Sequence, residues 1–486
     1  MTKANFNEYK LSEDLLKAID LLKFNSPTKV QEQVIPAALD QKDIIVKSQT
    51  GSGKTAAFAI PVCQLIDWEQ NLPQALVITP TRELAIQVKE DFFNIGRFKR
   101  LKVSAIYGKA SIIGQEKELK QKTHVVVGTP GRIIDLLERK AFDPSAIRYL
   151  IIDEADELLN MGFIAQVETI LNSLPDDRVT MLFSATMPND IGTLCNRYMK
   201  QPVQIEIEEQ NTALNRIRQE RYSVEQSEKI ELLKDIMTVE NPDSCIIFCN
   251  AKQTVEEVYQ ALSSMKFACE KMHGGMEQRD RLRGMDRFKK GLFRYLIATD
   301  VAARGIDIDH ISLVINFDIP RNGEIYTHRI GRTGRIGNKG IAITFVSKSE
   351  TNQLTEIHQY LGNEIQRKDR PNQETVALSK QEFVEKISTA PKPKEAKGAR
   401  LGQEIVKLHI NAGKKTKMRP ADIVGTLCSL EGMTVDDIGI INIIDVSTFV
   451  EILNNKGELV YEALQNTPIK GRLRKVSRAE VQQFSK

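Results

Sequence analysis

No apolar run in the 486 residues approaches the length of a bilayer span. The opening MTKANFNEYK has no hydrophobic signal core, so the expected compartment is the cytoplasm. Cysteine is sparse: six residues, scattered along the chain, do not suggest a disulfide framework. The closest pair, Cys245 and Cys249 in SCIIFCN, shares one face of an apolar segment that reads as a buried strand. No second Cys/His pair lies nearby, so buried thiols are expected there and not a metal site. Net charge is low as well. The 68 basic and 64 acidic residues leave +4, which excludes a polycation yet permits local basic surfaces that attract phosphates.

What is present is a soluble globular composition, 41% hydrophobic and 27% charged, in a chain long enough for two to four domains. Short apolar runs alternate with amphipathic stretches from about residue 42: DIIV, ALVIT, KVSAIY, HVVVG, YLIID and TMLFS, then SCIIFC, RYLIAT, LVINF and GIAITFV. Such runs, separated by helical patterns, predict parallel sheets covered on both faces. Two series predict two α/β lobes, residues 1–208 and 209–366, with a hinge around Glu208 to Asn215. The strand pattern stops over 367–403, whose later part, STAPKPKEAKGARLGQ, reads as a flexible linker. Over 404–486 the order VKLHI, ADIVGTLCSL, IGIINII, TFVEIL, ELVYEAL, RLRKV predicts a small βαββαβ module of the ferredoxin-like class, which includes RNA-recognition modules.

Three motifs carry chemistry. DIIV runs into KSQTGSGKTAAF, where Thr50, Gly51, Ser52, Gly53, Lys54 and Thr55 form a phosphate-binding loop. Its backbone N–H groups would converge on phosphate oxygens, Lys54 adds a point charge and Thr55 offers a hydroxyl to Mg²⁺. The strict pattern has glycine where this chain has Ser48. YLIIDEADELL then ends an apolar strand at Asp153, a candidate Mg²⁺ ligand, with Glu154 beside it to orient the attacking water. HRIGRTGRIG supplies His328 and arginines at 329, 332 and 335, framed by glycines and suited to polyphosphate. Facing lobes would let ATP bridge them, a nucleotide-driven clamp.

Over residues 1–365 the motif series resembles the DEAD-box RNA helicases: Phe24 and PTKVQ, TGSGKT, PTRELA, TPGR, DEAD, SAT, QRDR, ATDVAARGIDI and HRIGRTGR. The resemblance implies two tandem RecA-like parallel-sheet lobes followed by the small RRM-like α+β domain, an ATP-dependent RNA helicase using ATP and Mg²⁺, and a monomer. It implies that Phe24 stacks on adenine, Gln31 reads its edge and Asp307 touches the ribose. Lys54, Asp153, Glu154, Arg332 and Arg335 would carry hydrolysis, while Ser184, Thr186 and His328 would couple it to RNA. Arg82, Thr129 and Arg132 would hold the RNA backbone from the first lobe, and Gly274, Arg281 and Thr299 from the second, with little base reading. Two departures stand out. Lys23 replaces the glycine usual before Phe24, and Lys109 follows Gly108 where paired glycines are usual.

The module resembles the C-terminal domain of the DbpA/YxiN subgroup, which implies targeting to large-subunit ribosomal RNA and assembling ribosomal particles. Its cations fall in two clusters, Lys414, Lys415, Lys417 and Arg419, then Lys470, Arg472, Arg474, Lys475 and Arg478. The strand VKLHI has no Phe or Tyr and TFVEIL only Phe449, so loop cations are the expected RNA contacts and sheet-face stacking is not. The alternative is a general RNA-binding chaperone without ribosomal specificity, in which ATP sets residence time alone.

Overall fold

The computed structural model describes residues 5–49, 51–207, 216–300, 311–334, 339–391, 393 and 404–479. The proposed hinge, Thr50, Asp307 and Arg335 therefore lie outside the described residues.

In the first lobe, strands β1 (Ile44–Lys47), β2 (Ala75–Ile78), β3 (Val103–Ile106), β4 (Val125–Gly128), β5 (Tyr149–Ile152), β6 (Val179–Ser184) and β7 (Val203–Glu206) form one sheet in the order β3-β4-β2-β5-β6-β1-β7. The central strands are buried along their whole length, as a sheet with helices on both faces requires. Leu76, Val126, Leu150 and Leu182 share one side of it with Ile133, Leu158 and Ile170 of the helices.

The second lobe repeats the plan. Strands β8 (Ile217–Ser223), β9 (Cys245–Cys249), β10 (Cys269–Met272), β11 (Tyr295–Thr299), β12 (Leu313–Asn316), β13 (Gly340–Val346) and β14 (Gln366–Lys368) pair in parallel in the order β10-β11-β9-β12-β13-β8-β14. Cys245 and Cys249 are buried thiols, and burial pushes both well above their ordinary range.

The linker expected over 367–403 gives way in its first half. Gln373–Ser388 is a helix that inserts Phe383 into the second-lobe core beside Phe267. One buried aromatic among polar neighbours is too weak a periodic signal to announce a helix.

The module has strands β15 (Val406–Ile410), β16 (Ile438–Ile443), β17 (Thr448–Ile452) and β18 (Val476–Arg478) in the antiparallel order β16-β17-β15-β18, with helices Pro420–Cys428 and Gly457–Asn466. The last strand begins at Val476, so Arg472 to Lys475 lie in the loop before it, later than RLRKV suggested. Among the described residues no helix is long and apolar enough to cross a membrane.

His124 at the base of β4 is fully buried. Its Nδ1 accepts the Lys102 N–H at 2.8 Å, and its Nε2 lies 3.1 Å from the Trp68 carbonyl, an arrangement only the neutral ring satisfies. Burial pushes the imidazole down to about 4; the Trp68 carbonyl opposes the shift and the charges of Lys122, Lys102 and Lys99 add to it. The folded value lies below the ordinary 6.5, so the unfolded chain binds the proton first. This contribution is complete above pH 6.5 and is lost as pH falls toward 4, about 3 kcal/mol in all. Urea melts across that window should show the wild type losing more stability than His124→Asn, whose amide oxygen still accepts from Lys102. Parallel pH slopes would clear His124 of the effect.

Candidate functional site

The carboxyl ends of the first-lobe strands gather the expected residues. Beyond β1 the loop turns through Gly51 and Gly53, both at positive φ (86° and 91°), and Gly53 caps the helix Lys54–Leu65. A Cβ on Gly53 would lie 2.7 Å from the Gln31 amide nitrogen, so only glycine fits. That nitrogen donates to the Gly53 carbonyl at 3.1 Å, while Gln31 Oε1 accepts the Thr28 N–H at 3.0 Å. Gln31 thereby ties the helix Lys29–Leu39 to the loop. Ser48, the departure from the strict pattern, lies with its hydroxyl 3.2 Å from that of Ser52 and bridges the loop from inside. Thr55 is half-buried in the first turn of the helix that follows.

Asp153 directly follows β5 and is buried, as is Lys54. Burial raises the Asp153 carboxyl above its usual range, and the Lys54 charge and the Glu154 N–H, which donates to Oδ1 at 3.0 Å, pull it back. A buried carboxylate beside one ammonium suits a hard cation with oxygen ligands. Glu154 stands at φ 51°, ψ 54°, a left-handed conformation that costs a non-glycine residue roughly 1 kcal/mol or more.

The sequence reading did not assign Asp156. Its Oδ2 accepts from the N–H of Ala185 (3.1 Å), the N–H of Thr186 (3.1 Å) and the Thr186 hydroxyl (3.3 Å), and its own N–H donates to the Ser184 hydroxyl at 3.2 Å. The loop after β5 is thus fastened to the loop after β6. The signal was available: Asp156 follows Asp153 at three residues, in the first turn of a helix, where a side chain turns back toward the strand ends.

The expected RNA contacts divide. Arg82 opens the helix Arg82–Ile95 and reaches over Gly108, whose missing Cβ would stand 3.4 Å from its guanidinium. Thr129 caps the helix Pro130–Glu138 and is half-buried. Arg132 instead turns inward. It is 9% exposed and donates to the Gln115 side chain at 2.7 Å and the Ala110 carbonyl at 3.2 Å, which fixes the GKASIIGQ segment. Lys109 in that segment and Lys23 after the helix Glu13–Leu21 have φ of 61° and 60°. Both lysines therefore hold the backbone shape that glycine adopts at low cost.

In the second lobe Gly274 is exposed with open space about it, in a turn where the Gly275 N–H donates to His273 Nδ1 at 3.1 Å. Arg281 lies in the first turn of the helix Gln278–Lys289, and Thr299 ends β11. His328 and Arg332 flank Arg329, which was expected with Arg332 and Arg335 to suit polyphosphate but turns inward instead. Buried at 2% exposure, Arg329 donates to both Asp300 oxygens (2.5 and 2.7 Å), to Asn250 (2.7 Å) and to the Asp318 carbonyl (2.8 Å). One guanidinium clamps the helix Gly323–Ile330 to the ends of β9, β11 and β12.

In the module, Lys470 Nζ donates to the Lys417 carbonyl at 2.5 Å and to Asp422 at 2.8 Å, so the two basic clusters form one surface. Lys414, Lys415, Lys417, Arg419, Arg472 and Lys475 are exposed on it, and Arg474 is half-buried. Arg478 is drawn away, paired with Glu458 and packed over the Tyr461 ring at 5.0 Å.

Comparison with known proteins gives three family matches: DEAD/DEAH box helicase over residues 28–194, helicase conserved C-terminal domain over 228–337, and DbpA RNA binding domain over 407–478. An ATP-dependent RNA helicase DbpA from Bacillus subtilis is 52% identical over 476 residues, covering 98% of this chain and 99% of its own. A DEAD-box ATP-dependent RNA helicase CshA from Geobacillus kaustophilus is 41% identical, covering 79% and 82%. Among solved structures, Saccharomyces cerevisiae Dbp5 bound to RNA and ADP BeF3 is 33% identical with a TM-score of 0.70, covering 78% of this chain and 99% of that one.

Asp156→Ala should leave two loop N–H groups without their acceptor and lower stability by roughly 2–4 kcal/mol in denaturant melts. Asp156→Asn, which keeps an acceptor oxygen, should cost less than half as much. Equal losses would show that the carboxylate does not hold the 184–186 loop.

Proposed function

The chain belongs to the DEAD-box ATP-dependent RNA helicases, and on that premise we propose that it separates short RNA duplexes locally within large-subunit ribosomal RNA during ribosome assembly. The observation that carries the address is the continuous basic surface that Lys470 makes of the two module clusters. It is exposed, built on loops, and separate from a sheet face with one aromatic. The proposed division is 1–208 and 209–366 for the lobes and 404–486 for the module, the second lobe extended by the helix Gln373–Ser388.

In this reading Phe24 stacks on the adenine, Gln31 fixes the loop against which its edge is read, and Asp307 meets the ribose. Thr50 to Thr55 receive the phosphates through backbone N–H groups, with the Lys54 charge beside them. Thr55 and Asp153 would hold a Mg²⁺, which when bound neutralises charge on the terminal phosphates. Glu154, fixed in its left-handed turn, orients the attacking water and takes its proton. Arg332 and Arg335 stabilise the charge that develops on the transferred phosphoryl group. Asp156 passes the state of the 153–156 loop to Ser184 and Thr186, and Arg329 holds His328 and Arg332 in place. Arg82, Thr129, Gly274, Arg281 and Thr299 meet the RNA backbone, with Arg132 acting through the segment it anchors. One strand is bent out of register while ATP is bound and released after hydrolysis.

Glu154→Gln should retain ATP and RNA binding and lose at least about 100-fold in RNA-stimulated hydrolysis; undiminished turnover would remove Glu154 from its role. For the address, Lys414→Ala, Lys415→Ala and Lys417→Ala combined in the full chain should weaken binding to a large-subunit ribosomal RNA fragment. The log–log salt slope should fall by about 1 per lysine, while ATPase stimulation by poly(U) persists. Unchanged preference for the fragment over poly(U) would end the addressing role.

A further inference from the structure

The face of the module sheet that points away from its own core carries Lys407, His409, Phe449 and Glu451, alternating with the buried Leu408, Ile410, Val450 and Ile452. His409 packs on Phe449 at 5.0 Å between ring centroids, and Lys407 Nζ lies 5.5 Å from that ring. At the centre of this face Glu451 is only 4% exposed. A carboxylate is costly to bury without a cationic partner.

Lys407 stands opposite it on β15, and the cation that hydrogen-bonds to it comes from the first lobe. Arg97, just beyond the helix Arg82–Ile95, donates to Glu451 at 3.1 Å with its side chain 11% exposed, and its guanidinium lies 5.3 Å from the Phe93 ring. The same turn supplies two more contacts. Arg100 donates to the Val435 carbonyl at 2.8 Å and lies 3.9 Å from Asp436, and Lys102 donates to the Ile441 carbonyl at 3.0 Å. Lys17, on a different helix, donates to Asn454 at 2.9 Å and lies 3.7 Å from Glu404, where the described part of the module begins. Of the cations in GRFKRLK, Lys99 turns inward, onto the carbonyls of Cys63, Gln64 and Ile66. The direct contacts share one polarity, with lobe cations on module acids and carbonyls, although Lys407 and Lys414 of the module also lie within reach of the lobe's Arg97, Lys89 and Lys102 charges. Arg100 also holds φ 58°, a strained conformation at the point of contact.

We propose that the sheet face of the module is a docking surface for the first lobe, seated on Arg97, Arg100 and Lys102 and anchored by the Arg97–Glu451 pair. A nucleic acid is the competing occupant of such a face, but a central carboxylate repels phosphate and selects a cation. The exposed basic surface around Lys414 and Lys470 belongs to other loops of the module and stays available. The inference stands on these contacts and does not rest on the choice of RNA.

The test is energy transfer in the full chain, with a donor attached at Glu69 of the first lobe and an acceptor at Leu459 of the module. The wild type should give one narrow high-transfer population. Arg97→Glu or Glu451→Arg should move at least half the molecules to a broad low-transfer population, and the double variant, with the pair reversed, should regain the wild-type distribution. Arg100→Ala, which leaves buried Glu451 untouched, guards against misfolding of the module and should give a partial shift. Singles indistinguishable from wild type, or a double no better than the singles, would overturn the docking surface. So would Glu451→Arg raising poly(U) affinity tenfold with transfer unchanged, which would give the face to RNA.

Discussion

The parallel sheet is the constraint from which the rest follows. Parallel strands need a crossover between each pair, so all carboxyl ends emerge along one edge and helices cover both faces. Burial on both sides demands near-continuous apolar strands. The same geometry gathers on one edge the loops after β1, β2, β3, β4, β5 and β6, and those loops hold residues 48–55, 81–82, 108–115, 129–132, 153–156 and 184–186. Chemistry-bearing residues more than a hundred positions apart come to one edge because each lies at or just beyond the carboxyl end of a buried strand.

That rule also explains what the sequence made legible. All ten strands expected in the lobes are present, because each is a mostly apolar run. The four that were missed, β7, β8, β10 and β14, are edge strands or strands with one open face. IRQERYS alternates between buried and exposed positions, CEKM is half-exposed and QRK is exposed throughout. Their hydrogen bonds are supplied by neighbours that the sequence does not mark. The sequence marks where the motif residues fall along the chain, but not which way a long side chain turns. Arg132 and Arg329 carry the same guanidinium as Arg82 yet are spent on carbonyls and carboxylates of their own lobe. Whether an arginine turns in or out depends on acceptors that only the fold assembles.

Lys23 and Lys109 both adopt the left-handed conformation that glycine tolerates. The backbone shape is held at a local cost that the surrounding hydrogen bonds sustain, including the Phe24 N–H donating to the Ile19 carbonyl at 3.1 Å. At both positions the left-handed shape of the turn is kept with a lysine in it.

Gly413 draws the basic loop of the module against the hairpin between β16 and β17. A Cβ there would fall 2.2 Å from the Ile444 carbonyl, and the Lys414 and Lys415 N–H groups donate to Ile444 and Asp445 at 2.9 and 2.8 Å. Loop and hairpin are therefore one stiff piece, and the lysine backbone is fixed before any anion arrives. Most of the ordering entropy that a flexible basic segment loses on binding has already been spent in folding. Such a surface rewards a partner whose charges match its spacing and gains little from one that must be moulded to it. Selectivity among polyanions then becomes a matter of rigidity as much as of charge.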